Sequence, residues 1–188
     1  MLFLFILTND YLFRALLQQN NLVLKALICA LLHLDPKSVT EVSVENPIEL
    51  GKSYDEKDLI LDIKALLDGK VVINLEMQVV NESNWIERSL YYLSQSFNNL
   101  NRGVDYRKVK PTVQIGILNF TLFVEEPEFY ANYYMMNEKT YQKYSDNFRL
   151  AVVDLTQIEQ DKQFLMEWEK KLKEKELEIE RKLQSLEK

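Results

Sequence analysis

The sequence predicts a mixed α/β domain in the order helix, three strands, helix, strand, and three observations carry that prediction. Apolar residues keep helical spacing over residues 9–34. Two segments, 58–66 and 71–80, alternate apolar with polar residues as half-buried strands do. Residues 83–103 then return to helical spacing.

In the first segment Phe13, Leu16, Leu17, Leu24, Leu27, Ile28 and Leu31 fall on one side of a helix. Thr8, Asn9 and Asp10 supply cap chemistry at its start, and Asp35-Pro36 ends it. β-branched residues over 39–50 predict a strand interrupted by Asn46-Pro47. After the two alternating strands, Ile86, Leu90, Leu93, Phe97 and Leu100 form the apolar stripe of a helix, with Arg88, Tyr92, Gln95 and Asn99 opposite. Gly103 suits a left-handed cap at its end. Residues 111–120 read as a buried strand, and the acidic, aromatic segment 125–146 as a loop leading into strands near 130–136 and 149–155. Beyond them Leu165, Trp168, Leu172, Ile179 and Leu186 stand at roughly heptad positions, interrupted by Lys175. The expected organisation is a domain over 1–157 and a charged C-terminal helix over 158–188, which either pairs two copies as a homodimer or stands as a solvated single helix or frayed tail.

Composition bounds the chemistry. A chain of 188 residues, 47% hydrophobic and 11% aromatic, can bury one ordinary core. Cys29 is the sole cysteine and His33 the sole histidine, which excludes a disulfide framework, a thiolate zinc cluster and a histidine-dependent triad within one chain. Both read as packing or surface residues, and any metal must be held by oxygen ligands. The net charge of −6 weighs mildly against nucleic-acid binding, since affinity for a polyanion comes largely from Lys and Arg. The one dense basic segment before the C-terminal stretch, Arg102, Arg107, Lys108 and Lys110, fits a solvated loop as well as a phosphate contact. The apolar run 1–7 is far shorter than the ~20 residues of a membrane span and lacks a signal peptide's basic flank and cleavage site. A cytoplasmic protein without membrane association is expected.

The two alternating strands hold the candidate site. In one, Leu59, Leu61, Ile63 and Ala65 are expected on one face and Ile60, Asp62 and Lys64 on the other; in the next, Asn74, Glu76 and Gln78 share the polar face. A two-residue Asp68-Gly69 turn would set Asp62 opposite Leu75 and mix the faces, so an odd-length turn with Gly69 in a left-handed position is expected. Asp62 then lies opposite or diagonal to Glu76, with side chains about 5 to 8 Å apart. Such a pair repels unless a divalent cation, a shared proton or a basic neighbour intervenes. Magnesium, which takes oxygen ligands and commonly one or two carboxylates, suits it, with manganese as a substitute. A solvent-facing hairpin with ordinary polar residues, Lys64 pairing with either acid, shows the same pattern.

Four segments together narrow that choice: Thr8-Asn9-Asp10-Tyr11-Leu12-Phe13-Arg14, Leu61-Asp62-Ile63-Lys64, Ile73-Asn74-Leu75-Glu76-Met77-Gln78 and Arg88-Ser89-Leu90-Tyr91-Tyr92. Their order and spacing resemble the recombination-promoting nuclease and transposase family of the PD-(D/E)XK nuclease superfamily, over roughly residues 8–157. The resemblance implies a restriction-endonuclease-like core of helix, three-stranded antiparallel meander, helix and strand. It implies a magnesium-dependent DNA endonuclease with Asp62, Glu76 and Gln78 as catalytic residues, the two acids being metal ligands. Gln78 stands where the superfamily more often has lysine; it can orient a water but carries no charge, and Lys64 is the candidate to supply that charge. Asp10 is an accessory acid or a helix cap, and Arg88 a phosphate ligand or a structural ion pair. The competing reading is a degenerate nuclease fold that binds nucleic acid or protein without cutting.

Overall fold

Asn20 divides the first helical segment in two. In the computed structural model, which describes residues 10–49 and 59–158, its backbone is extended and its side-chain oxygen accepts from the amides of Leu22 and Val23, both at 3.1 Å. The single helix expected over 9–34 is therefore two, α1 (Asp10–Gln19) and α2 (Asn21–Leu31). Asparagine competes for backbone donors and prefers such a cap to a helix interior. Helical periodicity survives the break because both helices bury the same kind of face, with Phe13, Leu17, Leu24, Leu27 and Ile28 in one core.

The strands follow as β1 (Val42–Glu45), β2 (Ile48–Glu49), β3 (Leu59–Ile60), β4 (Ile63–Leu67) and β5 (Val71–Gln78). Helix α3 (Trp85–Phe97) leads to β6 (Thr112–Leu118), β7 (Tyr130–Tyr134) and β8 (Phe148–Asp154). Six strands form one sheet in the order β1-β4-β5-β6-β8-β7, and β2 pairs with β3 separately. The pairs β1/β4, β4/β5 and β7/β8 are antiparallel; β5/β6 and β6/β8 are parallel. The expected core of helix, meander β1-β4-β5, helix and strand is present. The apolar start over 1–7 and the charged helix expected over 158–188 lie outside the described residues but for Ile158.

The turn between β4 and β5 has the odd length that face parity requires. Leu67 pairs with Val71, which leaves Asp68-Gly69-Lys70 as the turn, with Asp68 at φ 49° and Gly69 at φ 68°. The Asp68 carboxylate accepts from the amides of Thr40 and Glu41 at 2.8 Å and fastens the turn to the approach of β1. Apolar residues of β4 and β5 (Ile63, Ala65, Ile73, Leu75) join α1 and α2 in the main core, together with Ile115, Ile117, Ala151 and Val153.

Two expectations need correction. Strand alternation fails before Ile63: Leu61 packs with Tyr92, on the α3 side rather than beside Ile63. The chain bends at Asp62, whose side chain takes over a ladder position by accepting from the Met77 amide at 2.7 Å. Helix α3 is also shorter than 83–103 and is rotated. Its buried face is Trp85, Ser89, Tyr92, Leu93 and Ser96, while Ile86 and Leu90 of the expected apolar stripe are 45% and 47% exposed. Gly103, though left-handed at φ 84°, lies in the following loop. Asn99 pulls the chain out of the helix there, exchanging side-chain hydrogen bonds with both backbone groups of Lys110.

The rotation of α3 has a local cause. A Cβ at Gly116 would lie 2.1 Å from Cζ2 of Trp85, so the indole occupies the place of a missing side chain on β6. Ser89 and Ser96 are small enough for close approach, and the strands beneath present polar groups that a hydrophobic stripe would leave unpaired.

Candidate active site

Between α3 and the sheet lies a layer of buried polar side chains. Asn74, Glu76 and Gln114 are all buried on the central strands β5 and β6, although paired central strands of this kind are usually apolar on both faces. Asn74 donates to Ser96 Oγ at 2.8 Å. Glu76, directly beside Gly116 in the β5/β6 register, receives the guanidinium of Arg88 on Oε1. Its Oε2 takes a long contact from Gln114 Nε2 at 3.4 Å. Burial, chiefly, pushes the Glu76 carboxyl up to about 7; the Asp62 charge acts in the same direction, and Arg88 opposes both.

Asp62 reaches this layer from the bend before β4. One carboxylate oxygen accepts from the Met77 amide, and the other pairs with Arg14 at 2.8 Å. Its backbone carbonyl accepts from Gln18 Nε2 at 3.1 Å. Arg14 and Gln18 stand one turn apart on α1, so a single helix face holds both the charge and the backbone of Asp62. The Asp62 charge is among those that act on Glu76.

The remaining candidates divide. Gln78 ends β5 on the same face as Glu76, and its Oε1 is buried without a hydrogen-bond partner among the described residues. Lys64 pairs across the sheet with Glu45 at 3.8 Å, and Arg88 is a cation on Glu76. Asp10 begins α1, but its side chain lies outside the description. Cys29 is buried in the core and His33 meets Tyr130 edge-on. Arg107 of the basic segment pairs with Asp105 in an exposed loop.

Arg14 and Gln114 were not among the sequence candidates. Arg14 had one signal, its place in the opening motif one turn after Asp10. Gln114 had a polar residue inside an otherwise apolar strand, a sign that something polar faces it.

The donor set fits a hard divalent cation. Two carboxylates converge, and the amide oxygens of Gln78 and Gln114 are buried without partners among the described residues. All four are oxygen donors, the ligand type such a cation prefers; among the described residues no group of three or more His, Cys, Asp or Glu is placed to hold a metal. No described helix is long and apolar enough to cross a membrane.

No curated protein and no solved structure gives a match to the chain. The model of the PD-(D/E)XK nuclease family transposases matches residues 7–188, and the chain belongs to that family.

Proposed function

We propose that this protein is a divalent-metal-dependent endonuclease hydrolysing DNA phosphodiesters at the site formed by Asp62, Glu76 and Gln78, in the service of recombination or transposition. The observation that carries the reading is the buried pair of acids with unpartnered amide oxygens beside it, in a member of a nuclease family. A domain needing only stability would gain by replacing such a layer with apolar residues.

Asp62 and Glu76 would hold the cation, magnesium or manganese. When bound, it supplies charge stabilisation at a phosphoryl oxygen and an acidified water. The residues do the rest. The Met77 amide and Gln18 fix Asp62 before substrate arrives, so little reorganisation remains at reaction. Gln78 Oε1 can accept a hydrogen bond from the attacking water and orient it, which replaces the positioning role of a lysine but not its charge. The guanidinium of Arg88, which lies on the Glu76 carboxylate, brings positive charge to the site.

In this reading residues 1–157 form the nuclease domain, and 158–188 form the segment through which a homodimer assembles; removing 158–188 should then halve the molar mass in solution. Incubation of supercoiled plasmid with magnesium, with manganese and with chelator tests the activity. Cutting that needs metal is expected, and intact plasmid with either metal would favour a nuclease fold that binds without cutting.

A further inference from the structure

We infer that Arg14 and Arg88 are exchangeable counter-ions, each resting on one carboxylate of the site and passing to the substrate phosphodiester when a divalent cation takes that carboxylate. The inference rests on the metal-dependent reading above and assigns Arg14 a role in it.

Each carboxylate carries a guanidinium: Arg14 from α1 on Asp62 and Arg88 from α3 on Glu76. With a guanidinium already on each carboxylate, a cation entering the site meets repulsion. Substrate removes it, because a phosphodiester offers guanidinium the same fork-shaped acceptor that a carboxylate does.

The two sides of each pair are not equally free. The acid side chains are 8% and 2% exposed, and their arginine partners 41% and 35%. Asp62 is held by the Met77 amide, and Glu76 sits on a central strand. The arginines are long side chains entering from two helices, so movement belongs to them.

Arg88 shows independently that its place on Glu76 does not use all it has. Its Nε is buried without a hydrogen-bond partner among the described residues, an arrangement that costs free energy. Its guanidinium carbon also lies 5.1 Å from the centre of the Tyr92 ring. That contact is made alongside the Glu76 pair and does not depend on the carboxylate.

Two measurements on the full chain at pH 8 test the exchange. The first is manganese binding without nucleic acid, followed by the spin resonance of the free ion, for wild type, Arg14→Gln and Arg88→Gln. Each substitution removes a competing charge, so each variant should bind manganese at least about fivefold tighter. A role confined to holding the fold together predicts the opposite, looser binding. The second uses wild type alone and does not depend on a variant folding. Adding magnesium with a short duplex should shift the Nε–H resonances of Arg14 and Arg88 and leave that of Arg149, paired with Asn132, unmoved. Manganese bound by wild type but no tighter by the variants, or resonances that stay in place, would overturn the exchange while leaving the metal site standing. No manganese bound by wild type or variants would instead contradict the metal-dependent reading itself.

Discussion

Trp85 sits on Gly116: the indole of the first residue of α3 fills the space where a side chain on β6 would stand. Glu76 is the neighbour of Gly116 across the parallel ladder. The contact therefore fixes the rotation of α3 at the point where Arg88, one turn further along, reaches Glu76. A structural device between two uncharged residues thus positions a charged pair.

Gly116→Ala should be costly. Its Cβ would meet the Trp85 ring at 2.1 Å and 2.6 Å, and the ring is buried with little room to yield. A loss of roughly 1 to 3 kcal/mol is expected, as for overpacking in a close-packed interior. Denaturant unfolding of Gly116→Ala, Trp85→Leu and the double variant checks it. Because the clash needs both partners, the double variant should lose less than the two single losses together.

The exposed stripe of α3 gives a contrasting pair. Leu93 is buried and Leu90 is 47% exposed. Leu93→Ala should cost about 2 to 5 kcal/mol, whereas Leu90→Ala should cost less than about 1 kcal/mol. Equal losses in thermal unfolding would mean that the helix is rotated toward the hydrophobic stripe.

Asn20→Ala removes the acceptor that caps α2 at the amides of Leu22 and Val23. A loss of about 1 kcal/mol is expected, and Asn20→Asp or Asn20→Ser should retain most of the stability. Urea unfolding of the three variants is the check.

Glu76 makes stability depend on pH. Its carboxyl is raised from 4.5 to about 7 in the fold, so the folded state binds the proton more tightly than the unfolded chain. The contribution is fully present below pH 4.5 and is lost as pH rises through 7. It amounts to at most about 3 kcal/mol. With chelator present, wild type should lose stability over that window relative to Glu76→Gln, which carries no such titration. Parallel pH curves for the two proteins would contradict the assignment.

The centre of the site was legible in the sequence because strand geometry has only two faces. Polar residues at Asn74, Glu76 and Gln78 and the parity of the Asp68-Gly69-Lys70 turn set the polar face of β5, whereas Asp62 reaches that layer from a bend before β4 that strand alternation does not foretell. The break at Asn20 was not read, since the apolar spacing continues across it. The orientation of α3 was misread because hydrophobicity marks a buried face only where the opposing surface is also apolar. Here that surface is polar, and the deciding feature is the absence of a side chain at Gly116, which sets no period. Arg14 was visible in a motif but its partner was not, since Asp62 lies 48 positions away and they meet only in the folded chain. The family match over 7–188 also runs beyond residue 157, where the resemblance carried by the quoted motifs ends.

The measurement closest to the central claim is the rate of metal-dependent plasmid cleavage by Asp62→Asn and Glu76→Gln beside wild type, with folding of all three verified by circular dichroism and cooperative unfolding. Both substitutions keep side-chain shape and remove one negative charge from the proposed metal site. Since a bound cation is worth several kcal/mol of transition-state stabilisation, each should slow cleavage at least about a hundredfold. Wild-type rates from either well-folded variant would contradict the placement of the reaction at Asp62 and Glu76.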